Sequence, residues 1–223
     1  MIRQRRSAVD FDGKTSITMD QFYSIMSRLM PSPDAIPWDA IPIWPPKIHL
    51  AIFVHRVSDL SPGLYFLMRT HSADSLENFQ KSLRPPHMAF LWEKPPHCPD
   101  DLPLFLLKKG DVRTIAKAAS CVQDIAADSA FSLGMISEFE ATLEKEGAHS
   151  YRHLFWETGM IGQLLYLEAE SHGVRGTGIG CFFDDLVHEI FGFSDAKLQS
   201  LYHFTVGGPI EDHQIQTSDP YES

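Results

Sequence analysis

The chain has 223 residues, 43% hydrophobic and 11% aromatic, which is enough for a substantial core in one large domain or two small ones. Its formal net charge of -10 argues against a nucleic-acid backbone as partner, because such partners need clustered Lys and Arg. No run approaches the ~18 apolar residues of a membrane helix, and no apolar targeting segment follows the charged start, so a soluble cytoplasmic protein is expected.

The only basic cluster lies at residues 3 to 6, with Arg3, Arg5 and Arg6 followed by Ser7. Guanidinium forks and a hydroxyl suit a terminal phosphate, while a basic start without fixed structure is the other reading. Thr18 to Leu29 reads as the first helix, with Thr18 and Gln21 spaced as a capping box and Phe22, Ile25, Met26 and Leu29 as its apolar stripe. Prolines exclude a helix or central strand from about 30 to 47, and a second Pro-rich loop is expected at about 84 to 103. Residues 48 to 57 read as a buried strand, and "LYFLMR" after the turn "SPG" as its hairpin partner. A weak helix over 75 to 83 follows.

"LPLFLLKKGD" reads as a strand, and Asp111 as the cap of one helix running to about Asp128. "AFSLGMISEF" is a further strand with Gly134 as its weak point. The longest helix runs from about Ser150 to His172, apolar on nearly every face and therefore expected to be buried on most sides. Gly159 and Gly162 weaken it by roughly 1 kcal/mol each against Ala, which points to close approach of another backbone or a ring. Then come a strand "GIGCF", a short helix capped by Asp184 and ended by Gly192, and the strand "LYHFTVGG". The mixture predicts one α+β domain over 1–223.

Cys98, Cys121 and Cys181 are odd in number and widely spaced, so free thiols in a reducing compartment are expected. His149, His153 and Glu157 share a helix face, as do Asp184 and His188, but their neighbours do not resemble a metal shell and no metal is expected. No nucleophile motif of a hydrolase occurs. Tyr151, Arg152 and Glu157 are the polar candidates near the start of the long helix, with Glu157 expected to bridge Arg152 or His153. Gly173, Gly176, Gly178 and Gly180 follow a helix and precede a strand, the reverse of a dinucleotide fingerprint. They read either as a helix C-cap with a tight lead-in to the strand, or as main chain that must lie close to something flat.

Taken in order, "RRSAVDF", the capped helix, the Pro-rich loop, "HLAIFVHRV", "SPGLYFL", the block from Tyr151 to Asp185 and "LYHFTVGGP" resemble the FMN-dependent nitroreductase superfamily. Within it the chain is most similar to the SagB-type branch related to azoline dehydrogenases, and to the second half of its tandem two-domain members. The resemblance implies a nitroreductase-like fold, a central, mostly antiparallel sheet flanked by helices, in a homodimer or in a pseudo-dimer with a similar domain. It implies FMN as cofactor, with NAD(P)H as an electron donor and a small molecule as substrate. Arg5, Arg6 and Ser7 fall where the family grips the FMN phosphate. Gly178, Ile179, Gly180 and Cys181 fall where main chain runs along the flavin, with a backbone N–H near Gly180 directed at flavin N5; no catalytic side chain is assigned. Two function readings follow: an FMN oxidoreductase that passes a hydride through N5, or a flavin-free domain that keeps the fold for pairing.

Overall fold

The computed structural model describes residues 2, 5–32, 36–40, 45–70, 73–193, 195–216 and 218. Arg3, residues 33–35 and 41–44 of the first Pro-rich loop, and residues 219–223 lie outside them.

A two-residue strand β1 (Ile17–Thr18) leads into helix α1 (Met19–Arg28). Thr18 Oγ1 accepts from Gln21 N at 3.1 Å and Gln21 Oε1 accepts from Thr18 N at 2.8 Å, so the capping box forms as its spacing predicts. Phe22, Ile25, Met26 and Leu29 are fully buried, each worth at most about 1.5–3 kcal/mol in area removed from water. Among its described residues the Pro-rich loop contributes a 3-10 turn, Trp38–Ala40.

Next come β2 (Ile48–Val54), β3 (Val57–Ser58), β4 (Gly63–Leu67), α2 (Ala73–Ser82) and β5 (Leu104–Lys109). They are followed by α3 (Arg113–Ala119), α4 (Asp124–Asp128), β6 (Phe131–Glu138), α5 (Phe139–Glu146) and α6 (Tyr151–Ser171), then β7 (Arg175–Ile179), α7 (Asp184–Phe191) and β8 (Leu198–Gly207). The six longer strands form one sheet in the order β5-β4-β2-β6-β8-β7, and every neighbouring pair is antiparallel. β1 and β3 pair in parallel outside it.

Both faces of the sheet are covered. Along β2, Leu50, Ile52 and Val54 pack into the core shared with α1 and α6. Ala51 and Phe53 point the other way, toward Phe79 of α2, Ala116 of α3 and Phe191 of α7. Two-sided burial is why this strand reads as an unbroken apolar run rather than an alternation. The loop over 84–103 is ordered against β5, where Glu93 and Leu106 exchange backbone bonds at 3.1 and 2.8 Å.

Four expectations are corrected. The single helix over 111–128 is two, α3 and α4, separated by Cys121 and Val122 with φ of 54° and 59°. Cys121 and Cys181 are joined by a disulfide, so only Cys98 is a free thiol. The strand expected as "GIGCF" begins earlier and ends at Ile179, leaving Gly180 and Cys181 beyond it. The long helix is buried on one side only. Leu154, Ile161, Leu165 and Ala169 enter the core, whereas Tyr151, Phe155 and Trp156 remain 46%, 38% and 53% exposed.

Glu157 also differs from expectation, because it turns inward and pairs with the fully buried Arg69 rather than with Arg152 or His153. Its other bonds come from Lys47 N at 2.9 Å and Ile48 N at 3.4 Å, so the carboxylate ties α6 to the start of β2. Arg69 bonds the carbonyls of Leu29 and Ile48 and lies 4.7 Å from the Trp38 ring. These partners satisfy most of a charge pair that would otherwise be costly to bury. Among the described residues no helix is long and apolar enough to cross a membrane.

Candidate functional site

The N-terminal residues 5–8 run beside the edge strand β7. Ala8 N donates to Gly176 O at 3.2 Å, and Thr177 Oγ1 donates to Ala8 O at 2.7 Å. Tyr166 of α6 fastens this arrangement. Its hydroxyl accepts from Gly178 N at 3.0 Å and is hydrogen-bonded to Ser7 Oγ at 2.6 Å, while the Arg5 guanidinium sits 5.3 Å from its ring. Arg5, Ser7 and Gly178, predicted as site residues, are therefore brought together by a residue that the sequence reading missed. Tyr166 lies four residues after Gly162 and seven after Gly159, a spacing that places all three on one helix face.

That face borders a groove of about 330 Å³ lined by Arg5, Thr158, Gly159, Gly162, Tyr166 and Tyr202. Nothing lies within 4 Å of where a Gly159 side chain would begin, and at Gly162 the nearest atoms are the Phe204 ring at 3.9 Å. The two glycines, destabilising in a helix, keep this floor free of side chains. Arg5 Nε is buried and has no hydrogen-bond partner among the described residues. An unsatisfied buried guanidinium nitrogen costs stability unless a ligand supplies the acceptor. Arg6 is part-buried and is not among the residues lining the groove.

The four glycines after α6 serve different ends. Gly173, at φ +73°, turns the chain out of the helix. A Cβ on Gly176 would meet the Phe204 ring at 2.5 Å, and one on Gly178 would meet the Tyr202 hydroxyl at 2.6 Å. Gly180 has only Tyr202 nearby, at 3.8 Å. Rings of the chain itself thus fill two of the gaps, and the third stays open. Ile179 is buried with Ala8, Phe11, Ile125 and Ala126, which pins the strand end against the α4 region. Cys181, bonded to Cys121, accepts from Gln123 Nε2 through its carbonyl at 3.2 Å.

Behind this segment His203 of β8 is buried, contacts Ser120 and Ser200 at 3.3 Å each, and stacks on Phe182 with centroids 4.5 Å apart. Burial pushes its pKa down to about 3, so the ring is neutral at ordinary pH. Gly134 gives it room, since a Cβ there would lie 3.1 Å from His203 Nε2. The predicted weak point of β6 is therefore a packing requirement. Of the histidines on α6 and before it, His149 and His153 meet edge to face with centroids 6.0 Å apart, and their would-be partner Glu157 is committed to Arg69. Among the described residues no cluster of three or more His, Cys, Asp or Glu suits a metal ion.

The arrangement can hold a flat group with an anionic tail: aromatic walls, a glycine floor and a cation whose buried nitrogen lacks an acceptor. A family model described as Nitroreductase family matches residues 2–208. Among solved structures, a candidate nitroreductase from Anabaena variabilis superposes with a TM-score of 0.67 at 22% identity, over 93% of this chain and 37% of that one. The chain thus spans well under half the length of that relative. The Escherichia coli microcin synthetase McbBCD complex gives 0.63 at 14% identity, over 94% of this chain and 71% of that one. The NADPH:FMN oxidoreductase from Vibrio harveyi, complexed with NAD+, gives 0.53 at 12% identity, over 99% and 72%. These identities speak to fold. No curated protein matches the sequence.

Proposed function

The chain belongs to the nitroreductase family, and from that premise we propose that it is an FMN-dependent oxidoreductase, passing a hydride through flavin N5 to or from a small organic substrate. The observation that carries this reading is Arg5 Nε, buried without an acceptor beside a groove whose helix floor has lost its side chains. A phosphate is the acceptor that such a nitrogen lacks. Arg5, Arg6 and Ser7 would hold it, with Ser7 already positioned by Tyr166. Gly178, Ile179, Gly180 and Cys181 would follow the ring system, where the open side of Gly180 lets main chain approach. A backbone N–H there stabilises charge that develops on a neighbouring acceptor, without the reorganisation that water would require. When bound, FMN supplies the two-electron centre, and NAD(P)H is the donor that we propose for it.

The likeness to the microcin synthetase complex supports placement in the SagB-type branch. The exposed aromatic start of α6, together with an apolar groove of about 690 Å³ between α1 and α6, supports a homodimer or a pseudo-dimer with a similar domain. We infer a cytoplasmic chain in which the disulfide acts as a reducible pair. The second reading, a flavin-free domain kept for pairing, is favoured by Phe204 and Tyr202 filling the space beside Gly176 and Gly178. Absorbance decides between them. Purified chain is expected to be yellow and to release FMN on denaturation; colourless chain that takes up no added FMN supports the flavin-free reading.

A further inference from the structure

Cys121 and Cys181 connect two segments that are not neighbours in the sheet: the turn between α3 and α4, and the stretch that leaves β7 directly after Gly180. We propose that this pair is a thiol–disulfide exchange site for small dithiols, and that its redox state sets how firmly the segment at Gly180 is held. The first half stands without any cofactor. The second rests on the FMN reading given above.

The three cysteines differ in access. Cys181 is exposed and Cys121 part-buried, whereas the third cysteine, Cys98, is buried with its thiol pKa raised by burial. A dithiol in solution therefore reaches Cys181 first. Its thiolate attacks the Cys181 sulfur, the bond to Cys121 breaks, and Cys121 leaves as a thiolate that takes a proton from water. The reagent's second thiol then displaces Cys181. The protein disulfide gains two electrons and two protons, and the dithiol becomes a disulfide.

The bond also holds an unfavourable backbone in place. Cys121 and Val122 both adopt left-handed backbone, at φ 54° and 59°, which non-glycine residues avoid and a β-branched valine avoids most. Val122 is 62% exposed, so no apolar burial compensates it. Opening the cross-link frees this turn to relax.

Other contacts between the two segments remain when the bond opens. Phe183 N donates to Ala119 O at 2.8 Å, Gln123 Nε2 bridges Ser120 O at 2.9 Å and Cys181 O at 3.2 Å, and Phe182 stays stacked on His203. These contacts keep the two segments adjacent, so reduction loosens the turn without dismantling the sheet. A purely structural brace needs neither an exposed cysteine, nor left-handed backbone at its partner, nor contacts that persist without the bond.

The test uses the full chain under native conditions. Dithiothreitol followed by maleimide is expected to add two labels by intact mass, and maleimide alone none, because Cys98 is buried. Labelling without dithiothreitol overturns the proposal, since the pair would not be bonded. So does labelling that appears only after denaturation, since the bond would then be an inaccessible brace. FMN titrated into both forms is expected to bind roughly threefold or more weakly to the reduced chain, and Cys121→Ser to behave like the reduced form without any reductant. Equal affinities overturn the coupling to Gly180. Failure of both forms to bind FMN counts against the FMN reading and removes that second half, while the label count still decides the exchange site.

Discussion

His203 and His55 are both buried and held neutral, with pKa values pushed down from 6.5 to about 3 and about 4, chiefly by burial. In the unfolded chain each takes up a proton below pH 6.5; in the folded chain neither does until far lower. Their contribution to stability is therefore complete above pH 6.5 and is lost as pH falls toward 4 and 3, at about 1.4 kcal/mol per pH unit for each residue. Urea unfolding between pH 7 and pH 5 is expected to show this decline, and His203→Gln to flatten it. A stability that is level across that range would mean that the two rings are solvated or already charged. His55 falls at the end of the run read as a buried strand, but His203 was not legible as buried, because it alternates with apolar neighbours like any half-exposed strand position. The sequence does place Glu157 beside Arg152 and His153, yet its partner Arg69 lies 88 positions away. Helical spacing reports local neighbours only, and the core supplied a better one.

The elements were the most legible part of the chain, since capping and periodicity are local. The capping box of α1 and the left-handed Gly192 that ends α7 stand where the residues put them. The break between α3 and α4 was not legible: Arg113 to Asp128 has no proline or glycine, and the cross-link that accompanies the break comes from 60 residues away. Two glycines with nearly equal φ separate conformational cost from steric cost. Gly173, at φ +73°, has nothing within 4 Å of its missing Cβ, whereas at Gly192, at φ +75°, a Cβ would lie 2.1 Å from Pro85 N. Gly173→Ala is expected to cost about 1–2 kcal/mol, the price of left-handed backbone alone. Gly192→Ala adds a backbone clash and is expected to lose more than about 3 kcal/mol or to fail to fold. Equal melting temperatures for the two variants would show that the loop at Arg84 and Pro85 yields freely.

The sheet with its two covered faces follows from β2 and β6, which are mostly apolar and buried along nearly their whole length because helices lie on both sides. What one chain leaves open is the outer side of α6. Tyr151, Phe155 and Trp156 are exposed there, and an apolar groove continues toward α1. A second copy or a similar domain is expected to close it, burying well over ~2,000 Å² as obligate partners do. Light scattering at low micromolar concentration is expected to report twice the chain mass, and Trp156→Glu to shift it toward the monomer. A stable monomer that carries flavin would defeat both the pairing and the placement of the cofactor beside this face.

The groove at Arg5 is proposed above as the phosphate end of an FMN site. Paired titrations with FMN and riboflavin, which differ by that phosphate, test it most directly. FMN is expected to bind at least tenfold more tightly than riboflavin, and Arg5→Ala, losing a charge-assisted bond of roughly 1.5–3 kcal/mol, to erase most of that difference while the fold stays intact. Equal affinity for the two ligands, or an FMN preference that Arg5→Ala leaves untouched, would contradict it.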